Sequence, residues 1–380
     1  MFSNWFLKSF RILLFPFALV YGFIVWVRNW LYNKKIFPST SFGLPIICVG
    51  NLSVGGTGKS PMVEYLVSHL KDKFKVATLS RGYKRKTKGY ALATDSTTAL
   101  DIGDEPMQFH LKFPDVPIAV GEQRLEAIPQ LLHDHPGTQV IILDDAFQHR
   151  AIRAGLNILL TEYGNLFTRD FFLPTGDLRD MRSGYKRADI ILVTKCKPDI
   201  TEEEKYKITR EIRPYRHQEI FFTTIEYGVP YHIFKHNFTF IQEKTEVLLV
   251  TGIANPRPLK KFLEERIQSY QMMHFPDHHI FTIDDWMEMK NRFEEMRATE
   301  KIMLTTEKDA MRLAKFEEQI NGTPFYVMPI EHRFLFNGGH RFNQIVGKFI
   351  EDFKIHPTSI KQDGAAAEGE RHESKANNQG

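Results

Sequence analysis

The residues with the clearest chemistry form a glycine-rich run at positions 53–60, Ser-Val-Gly-Gly-Thr-Gly-Lys-Ser. The apolar segment 45–50 precedes this run, and a helix-compatible segment that begins at Met62 follows it. Glycines at this spacing let backbone N–H groups turn towards phosphate oxygens, and the N-terminus of the helix adds the positive end of its dipole. The pattern predicts a phosphate-binding loop, although Ser53 stands where the usual motif has its first glycine.

Two side chains of this run could take part in phosphoryl transfer. Lys59 can reach the β- and γ-phosphates of ATP, and the hydroxyl of Ser60 can bind Mg²⁺. A glycine-rich turn that binds nothing is the alternative, and the Lys-Ser pair between a strand and a helix argues against it. We expect the ATP contacts to come from the whole run: Ser53, Val54, Gly55, Gly56, Thr57, Gly58, Lys59 and Ser60.

Two neighbouring acidic residues, Asp144 and Asp145, follow the apolar residues 140–143. Open α/β sheets bind ligands at the carboxyl ends of their strands, and two adjacent carboxylates are costly there without a cation. We therefore expect the pair to form a magnesium site with Ser60, and the sequence leaves open which of the two binds directly. A solvated helix N-cap is the alternative.

Further polar residues could contact an anionic substrate. Gln148 and His149 come shortly after the acidic pair, and Arg81 and Arg124 each follow the end of another predicted strand. For the basic run at 84–88, a solvated surface is an equally good interpretation, because charge runs usually face water.

Asp104 and His278 are two candidates from distant parts of the chain. Asp104 lies in Asp-Ile-Gly-Asp-Glu-Pro at 101–106 and could be a general base that accepts the proton of a hydroxyl group. A capped turn is the alternative for this patch. His278 lies in Phe-Pro-Asp-His-His at 275–279, and alone it is weak evidence, because most such histidines are structural.

The elements that must position these residues are predicted from apolar runs. Near-continuous apolar segments separated by helix-compatible stretches are typical of a parallel sheet covered on both faces. Aromatic and β-branched residues at 220–241 predict a β-ribbon that joins two lobes. The runs before the ribbon are 45–50, 76–80, 116–120, 139–144, 156–161 and 189–194, and those after it are 246–251, 280–282, 302–305 and 325–328.

These patterns predict an α/β protein with a P-loop NTPase lobe built on a parallel sheet and a smaller second α/β lobe. The tail is polar and contains almost no apolar residues, which is typical of disorder. The predicted boundaries are a membrane-associated helix at 1–39, the P-loop lobe at 40–224, the second lobe with the ribbon at its start at 225–355, and a disordered tail at 356–380.

The N-terminal segment combines apolar and basic residues. Residues 12–27 carry no charge, and residues 1–35 contain five basic and no acidic residues, so the rest of the chain carries −1 of the net charge of +4. We expect an uncleaved anchor that dips into one leaflet or spans it briefly, with the folded part in the cytoplasm. A signal peptide would need a small-residue cleavage site, which the flanking sequence lacks; a buried core helix is the other alternative.

Composition excludes several classes of protein. The 380 residues are 42% hydrophobic and 25% charged, which are globular proportions. The balanced charge outside the N-terminal segment argues against a globally basic protein that binds nucleic acid. Cys48 and Cys196 are too few for a disulfide framework or a four-cysteine zinc site. Nothing in the sequence indicates an obligate protein partner.

A set of short motifs resembles that of the tetraacyldisaccharide 4′-kinase (lipid A 4′-kinase) family of Gram-negative bacteria. Each motif is unspecific alone, but the combination, which covers residues 10–350, is specific. In chain order the motifs are SVGGTGKSP (53–61), LSRGY (79–83), GDEP (103–106), DDAFQHR (144–150), GDLRD (176–180), VTKC (193–196), GIANP (252–256), FPDHH (275–279) and TEKDA (306–310).

The resemblance implies an ATP-dependent kinase at the inner membrane that phosphorylates the 4′-hydroxyl of a tetraacylated glucosamine disaccharide 1-phosphate, a lipid A precursor. It also implies two α/β/α lobes, an active site in the cleft between them and an N-terminal membrane-associated helix. By the same resemblance, Asp104 takes the proton from the sugar hydroxyl, and His278 pairs with it across the cleft. Arg124 and Gln148 would contact the lipid disaccharide.

Other functions remain open at this point. A membrane-associated ATPase of the partitioning and arsenite-pump type also carries Gly-Gly-Thr-Gly-Lys-Ser, but that group usually has a lysine where this chain has Val54. A GTPase would need an Asn-Lys-x-Asp signature, which Val-Thr-Lys-Cys at 193–196 lacks. A non-catalytic module that binds lipid or nucleotide would not need the acidic residues at 104, 144 and 145.

Overall fold

Two β-sheets organise the chain. The structure, a computed structural model, describes residues 11–235, 237–277 and 279–355, so His278 and the predicted disordered tail at 356–380 lie outside the described residues. Within those ranges, one sheet has nine strands and the other has five. The prediction of an α/β fold with a larger and a smaller lobe is confirmed.

The larger sheet is mostly parallel. Its strands are β1 (Ile46–Asn51), β2 (Val76–Ser80), β3 (Ala91–Leu92), β4 (Ile118–Val120), β5 (Val140–Asp144), β6 (Leu156–Glu162), β7 (Ile190–Thr194), β8 (Glu219–Tyr227) and β14 (Ile330–Phe334). Over the described part of the chain they lie in the order β14-β8-β7-β6-β1-β5-β2-β4-β3. Because the carboxyl ends of parallel strands share one edge, the loops after β1, β2 and β5 meet there.

Helices cover both faces of this sheet. The covering helices are α2 (Lys59–Leu70), α4 (Asp104–Lys112), α5 (Arg124–Asp134), α6 (Glu202–Ile212) and α11 (Gly338–Ile355). The same lobe contains α1 (Phe15–Asn33), α3 (Ala99–Ile102) and a 3₁₀ helix at Arg182–Arg187. Side chains of β1 alternate between two apolar clusters: Ile46 and Cys48 pack on one face, and Ile47 and Val49 on the other. A strand buried on both faces is apolar at successive positions, which is why apolar runs predicted these strands.

The smaller lobe contains the second sheet. Its strands are β9 (Tyr231–His232), β10 (Glu246–Thr251), β11 (Tyr270–His274), β12 (Lys301–Thr306) and β13 (Phe325–Met328). They lie in the order β11-β10-β12-β13-β9. The accompanying helices are α7 (Arg257–Glu264), α8 (Ile283–Glu295), α9 (Glu307–Leu313) and α10 (Glu317–Ile320), with a 3₁₀ helix at Ala314–Phe316.

The prediction of a strand at 280–282 is wrong. Thr282 is the N-cap of α8, and its hydroxyl accepts a hydrogen bond from the Asp285 N–H at 3.2 Å. The strand in this part of the fold is β11, which lies at the edge of the sheet and is only partly buried. Its sequence, Tyr-Gln-Met-Met-His, is not a continuous apolar run, so the apolar-run criterion missed it.

The connection between the lobes also differs from the prediction. Residues 219–227 form β8 of the larger sheet, which pairs with β14 from much later in the chain. The ribbon between the lobes is therefore one outgoing and one returning strand, not a ribbon formed within 220–241. After β14, α11 packs Phe342 and Val346 into the core of the larger lobe. Residues 330–355, which the predicted boundaries place in the second lobe, therefore pack with the larger one.

The N-terminal helix α1 contacts the larger lobe along one face. Its buried residues repeat at helical spacing: Ala18, Gly22, Val25 and Asn29. Asn29 donates a hydrogen bond to Asp180 at 2.6 Å. The helix also exposes a row of large apolar side chains, which excludes a buried core helix: Phe15, Phe17, Leu19, Val20, Phe23, Ile24 and Trp26. Among the helices that the structure describes, none has the length and hydropathy needed to cross a membrane.

A buried charge cluster joins the two lobes. The ammonium of Lys112 lies 2.6 Å from Oε2 of Glu64 and 2.9 Å from Oε1 of Glu307. Glu64 belongs to α2, Lys112 to α4, and Glu307 begins α9 of the smaller lobe. Burial, and then the charge of Glu307, raise the pKa of Glu64 to about 8. Burial and the second carboxyl group beside the same ammonium therefore favour the protonated form of Glu64 near neutral pH.

We expect Glu64→Gln to remove a pH dependence of stability. A carboxyl group whose pKa rises on folding stabilises the fold fully below its unfolded pKa, and this contribution is lost as the pH rises through the folded pKa. The free energy of unfolding of the wild type should therefore fall relative to that of the variant between about pH 4.5 and about pH 8. Urea titrations at several pH values measure this difference.

The matched control is Glu126→Gln, because Glu126 is an exposed residue of α5. That variant should follow the pH curve of the wild type. Parallel curves for the wild type and Glu64→Gln would contradict a protonated Glu64.

Candidate active site

A cavity of about 760 Å³ opens at the carboxyl edge of the larger sheet. The phosphate loop, the ends of β2 and β5, the start of α4 and the inner face of α1 surround it. Gly56, Thr57, Gly58 and Ser60 are not among the lining residues, and His278 lies outside the described residues. The other candidates from the sequence line this one space: Ser53, Val54, Gly55, Lys59, Arg81, Asp104, Arg124, Asp144, Asp145, Gln148 and His149.

The phosphate loop connects β1 to α2, as predicted. Gly55 and Gly58 have φ angles of +108° and +86°, which side chains with a Cβ rarely adopt. Gly58 is the N-cap of α2, so the positive end of the helix dipole faces the loop. Ser53, in place of the usual first glycine, is buried and forms a β-bridge with Leu178. Extended backbone at this position explains why a serine is tolerated.

Asp145 is held by two basic residues. Arg179 donates two hydrogen bonds to its carboxylate, one of them at 3.0 Å from Nη1 to Oδ2, and the ammonium of Lys59 lies 3.8 Å from Oδ1. Burial alone would raise the pKa of Asp145, but the charges of Lys59 and Arg179 outweigh it and lower that pKa. Asp145 therefore stays ionised and keeps two cations beside the phosphate loop.

Asp144 is buried at the end of β5 in a different environment. Its Oδ2 accepts a hydrogen bond from the Ser80 hydroxyl at 3.4 Å, and its Oδ1 finds no hydrogen-bond partner among the described residues. Burial, and then the charges of Glu105 and Asp145, raise the pKa of Asp144 to about 7. The N-cap alternative is wrong, because Asp145 has a φ of +49° and the following residues form turns.

The environment of Asp144 fits a magnesium ligand. A buried carboxylate oxygen without a partner is costly, and a cation beside it would satisfy it. No group of three His, Cys, Asp or Glu side chains is placed to hold a metal within the described ranges. Mg²⁺ does not need one, because it usually keeps several waters and binds one or two carboxylates together with substrate phosphates. Asp144 and Ser60 are the residues that would hold it.

Asp104 begins α4 and contacts the smaller lobe. Arg312 of α9 donates hydrogen bonds to Oδ2 of Asp104, at 2.5 Å from Nη2 and at 3.2 Å from Nε. Lys308 of the same helix lies 3.9 Å from Glu105. Gly103 is the N-cap of α4, so Asp104 is not the capping residue of a turn. The predicted partner of Asp104, His278, lies outside the described residues, and their pairing stays a prediction.

Sequence and structural relatives agree on the family. The tetraacyldisaccharide-1-P 4′-kinase family matches residues 10–350. The tetraacyldisaccharide 4′-kinase of Flavobacterium johnsoniae is 44% identical and spans 90% of this chain and 98% of its own length. That of Bacteroides thetaiotaomicron is 43% identical and spans 89% of this chain and 93% of its own length. The chain belongs to the tetraacyldisaccharide 4′-kinase family.

A solved structure of LpxK from Aquifex aeolicus in complex with ATP shares the fold. Its TM-score is 0.71 at 27% sequence identity, over 90% of this chain and 99% of the other. A phosphate loop at the edge of the larger sheet is thus consistent with ATP as a substrate of the kinase family.

The predicted substrate residues differ in what they contact in this member of the kinase family. Gln148 donates to the backbone oxygen of Asn51 at 2.6 Å, so its side chain already supports the phosphate loop. Nε of Arg124 and Nε2 of His149 have no hydrogen-bond partner in the described part of the chain. Burial, and then the charge of Arg124, lower the pKa of His149 to about 4, so its ring is neutral. Arg124 and His149 are therefore better placed than Gln148 to receive a substrate.

The site also contains two arginines that the sequence motifs did not predict. Arg179 lies in the motif at 176–180, and Arg312 follows the motif at 306–310, but neither motif indicated an ion pair with an acidic residue far away in sequence. The signal that could have found them is the need of each buried acid for a basic partner. The segment predicted as an anchor also lines the cavity with Tyr21, Val25 and Arg28.

We expect Asp144→Asn and Asp145→Asn to differ in their response to magnesium. Asparagine at 144 keeps the shape but removes the charge that would bind the metal. The Mg²⁺ concentration for half-maximal activity should rise at least about 10-fold, and excess Mg²⁺ should restore part of the rate. Asparagine at 145 should lower kcat but shift the half-maximal Mg²⁺ concentration less, because it releases Lys59 and Arg179.

Initial rates at saturating ATP over a series of Mg²⁺ concentrations measure both effects. Asp95→Asn changes an exposed aspartate and should behave as the wild type. Equal Mg²⁺ midpoints for the wild type and Asp144→Asn would assign the metal to another residue.

Proposed function

We propose that this protein transfers the γ-phosphate of ATP to the 4′-hydroxyl of a tetraacylated glucosamine disaccharide 1-phosphate, which gives lipid IVA in lipid A biosynthesis. The observation that carries the proposal is the composition of one cavity. A phosphate loop, the buried Asp144 with the partly buried Asp145, and a carboxylate fixed from the other lobe face the same space as an apolar N-terminal helix. The first three features suit phosphoryl transfer, and the fourth suits a lipid acceptor.

The phosphate loop would hold the triphosphate through its backbone N–H groups, and Lys59 would compensate charge on the β- and γ-phosphates. Mg²⁺, when bound, neutralises charge on the same phosphate oxygens. Asp144 and Ser60 would hold the metal, while Asp145 keeps Lys59 and Arg179 beside the loop. Positioning and charge compensation supply most of the catalysis in this class of reaction.

Asp104 would act as the general base for the sugar hydroxyl. It lines the same cavity as Lys59, and Arg312 orients its carboxylate from the smaller lobe. A base in this role contributes about 10²–10⁴ in rate. We further propose that His278 pairs with Asp104, as the family resemblance implies. A pair drawn from two lobes would be assembled on closure, which would limit hydrolysis of ATP by water.

The acceptor would enter beside α1. The inner side of this helix lines the cavity with Tyr21, Val25 and Arg28, and large apolar residues of the same helix are exposed. In the cavity, the guanidinium groups of Arg81 and Arg124 suit an anionic phosphorylated sugar. His149 would complete the contacts of the disaccharide, and Gln148, which lines the same cavity, would contact it only beside its hydrogen bond to the phosphate loop.

The exposed apolar residues of α1 would lie in the inner membrane, at its cytoplasmic face. Phe17, Leu19, Val20 and Phe23 are each 60% or more exposed. Burial of apolar surface contributes about 25 cal/mol per Å², so a few hundred Å² in lipid would contribute several kcal/mol. Basic residues such as Lys34 at the end of the helix would meet anionic head groups.

We expect the purified protein to transfer radiolabelled γ-phosphate from ATP to the lipid precursor in the presence of Mg²⁺. Lys59→Ala should abolish the transfer, because it removes charge compensation in the transition state. Asp104→Asn should lower kcat by about 10²–10⁴ with little change in the KM for ATP, because a base acts only in the transition state. Chromatography of the lipid fraction measures both rates.

The control is Lys73→Ala, which removes an exposed lysine at the far end of α2 and should retain full activity. ATP consumption that proceeds equally well without lipid would favour the membrane-associated ATPase over the lipid kinase.

We expect serine substitutions at Leu19, Val20, Phe23 and Ile24 to release the protein from vesicles of anionic phospholipid. These four side chains are exposed, so docking of α1 through its buried face should persist, and the melting temperature should stay close to that of the wild type. Co-sedimentation with vesicles measures binding. Serine at Tyr206 and Phe240, which are exposed elsewhere, is the matched control. If the α1 variant pelleted like the wild type, another surface would hold the membrane.

A further inference from the structure

We propose that His332 is a positioning residue that orients the phosphate loop from the strand that returns from the smaller lobe. The inference deepens the proposed function and rests on it, because it concerns the loop that would hold ATP. His332 lies in the middle of β14, far in sequence from the loop, and belongs to none of the motifs that identified the site.

The histidine ring bridges the loop and the neighbouring strand. Its Nε2 lies 2.8 Å from the backbone oxygen of Gly58, and its Nδ1 lies 2.9 Å from Oγ1 of Thr223 on β8. The side chain is buried, and a Cβ added to Gly58 would lie 3.1 Å from the ring. The ring therefore packs tightly against the loop at its last glycine.

The hydrogen bonds define which nitrogen carries the proton. A backbone carbonyl can only accept, so Nε2 must be the N–H donor to Gly58. Nδ1 then accepts a hydrogen bond from the hydroxyl of Thr223. Burial lowers the pKa of His332 to about 4, so the neutral ring with this tautomer is the form present at neutral pH.

The contact sets the direction of an N–H group in the loop. In a trans peptide, the carbonyl of one residue and the N–H of the next point in opposite directions. The carbonyl of Gly58 also accepts from the Met62 N–H at 3.2 Å, in the first turn of α2. With its carbonyl held by His332 and Met62, the peptide aims the N–H of Lys59 away from the helix, towards the position of the phosphates.

A second contact of the same kind holds the preceding peptide. The hydroxyl of Thr194, at the end of β7, donates to the backbone oxygen of Thr57 at 2.8 Å. By the same geometry, the N–H of Gly58 points the opposite way. Two neighbouring peptides of the loop are thus oriented from outside by side chains of the sheet, and His332 supplies one of the two contacts.

The position of His332 in the chain links the loop to the smaller lobe. Its strand begins at Ile330, whose N–H donates to Oε2 of Glu307 at 3.2 Å, and Glu307 starts α9. Arg312, which binds Asp104, lies on the same helix. A shift of α9 would therefore act on the loop through β14 as well as on Asp104.

We expect His332→Phe to weaken ATP binding about 10-fold, because it fills the volume but leaves the Gly58 carbonyl without its donor. His332→Gln offers an amide N–H in place of Nε2–H and should restore affinity to within about threefold of the wild type. ATP affinity is measured by calorimetry without lipid, alongside the KM for ATP and the melting temperature.

The matched control is His232→Phe. His232 is also buried, and its Nε2 lies 3.0 Å from a backbone oxygen, that of Thr323 in the smaller lobe. This variant should lower the melting temperature and leave ATP affinity unchanged. Thr223→Val keeps the ring but removes its partner, and it should weaken ATP binding about threefold even if the Phe variant does not fold.

ATP affinity within about twofold of the wild type in both His332→Phe and Thr223→Val would overturn the proposal, as would an equal loss of affinity in His232→Phe. ATP binding is measured without an acceptor, so a failure of the lipid kinase assay does not bear on the role of His332. If no lipid is phosphorylated but affinity falls with His332→Phe and returns with His332→Gln, the acceptor assignment is wrong and the role of His332 stands.

Discussion

Compensation of the carboxylate charges in the cavity beside the phosphate loop is the constraint on which the rest of the site depends. A buried carboxylate is costly unless a cation or hydrogen-bond donors face it. Asp145 has Lys59 and Arg179, and Asp104 has Arg312. For Asp144, burial and the neighbouring carboxylates outweigh the charges of Lys59 and Arg124, and its pKa rises. In the proposed function, a cation beside Asp144 and phosphates beside Lys59 would complete the electrostatics of the site.

This constraint explains the arrangement of the two lobes. The parallel sheet gathers loops with acidic and phosphate-binding groups at one edge, but it cannot place every compensating cation there. The smaller lobe supplies Arg312 and Lys308 from α9, and the buried cluster of Lys112 with Glu307 ties the same helix to α4. Two antiparallel strands, β8 and β14, connect the lobes. The lobe that supplies the cations is therefore joined directly to β14, which packs against the phosphate loop.

The parts of the fold that could be predicted are those decided by neighbouring residues. A strand, a glycine run and a helix in succession define the phosphate loop, and central strands are apolar because both of their faces are buried. Edge strands such as β11 are half exposed and lack that signature. The apolar face of α11 shows that the helix is buried, but nothing local shows which sheet it covers. For that reason the predicted boundaries placed residues 330–355 in the second lobe, whereas α11 packs on the larger one.

The same distinction applies to the candidate site: residues within local motifs were predictable, and residues paired by the tertiary fold were not. Lys59, Asp144 and Asp145 were predictable because each stands at a strand end or a helix start within its own motif. Arg312 is an ordinary arginine in an ordinary helix, and only the tertiary fold reveals that it faces Asp104. Pairing of this kind depends on long-range packing, and no pattern in a single sequence records it. The same holds for His332, whose partner is a backbone oxygen of a loop far earlier in the chain.

The N-terminal helix shows how one element can satisfy two opposing environments. An α-helix is about 10–12 Å across with its side chains, so residues on its two sides are only about that far apart. Val25 and Arg28 face the polar cavity, whereas Val20 and Phe23 are exposed. An acceptor could keep its acyl chains beside the exposed residues while its sugar reaches Asp104. In the proposed function, the helix therefore brings the reacting hydroxyl to the phosphates without removing the acyl chains from lipid.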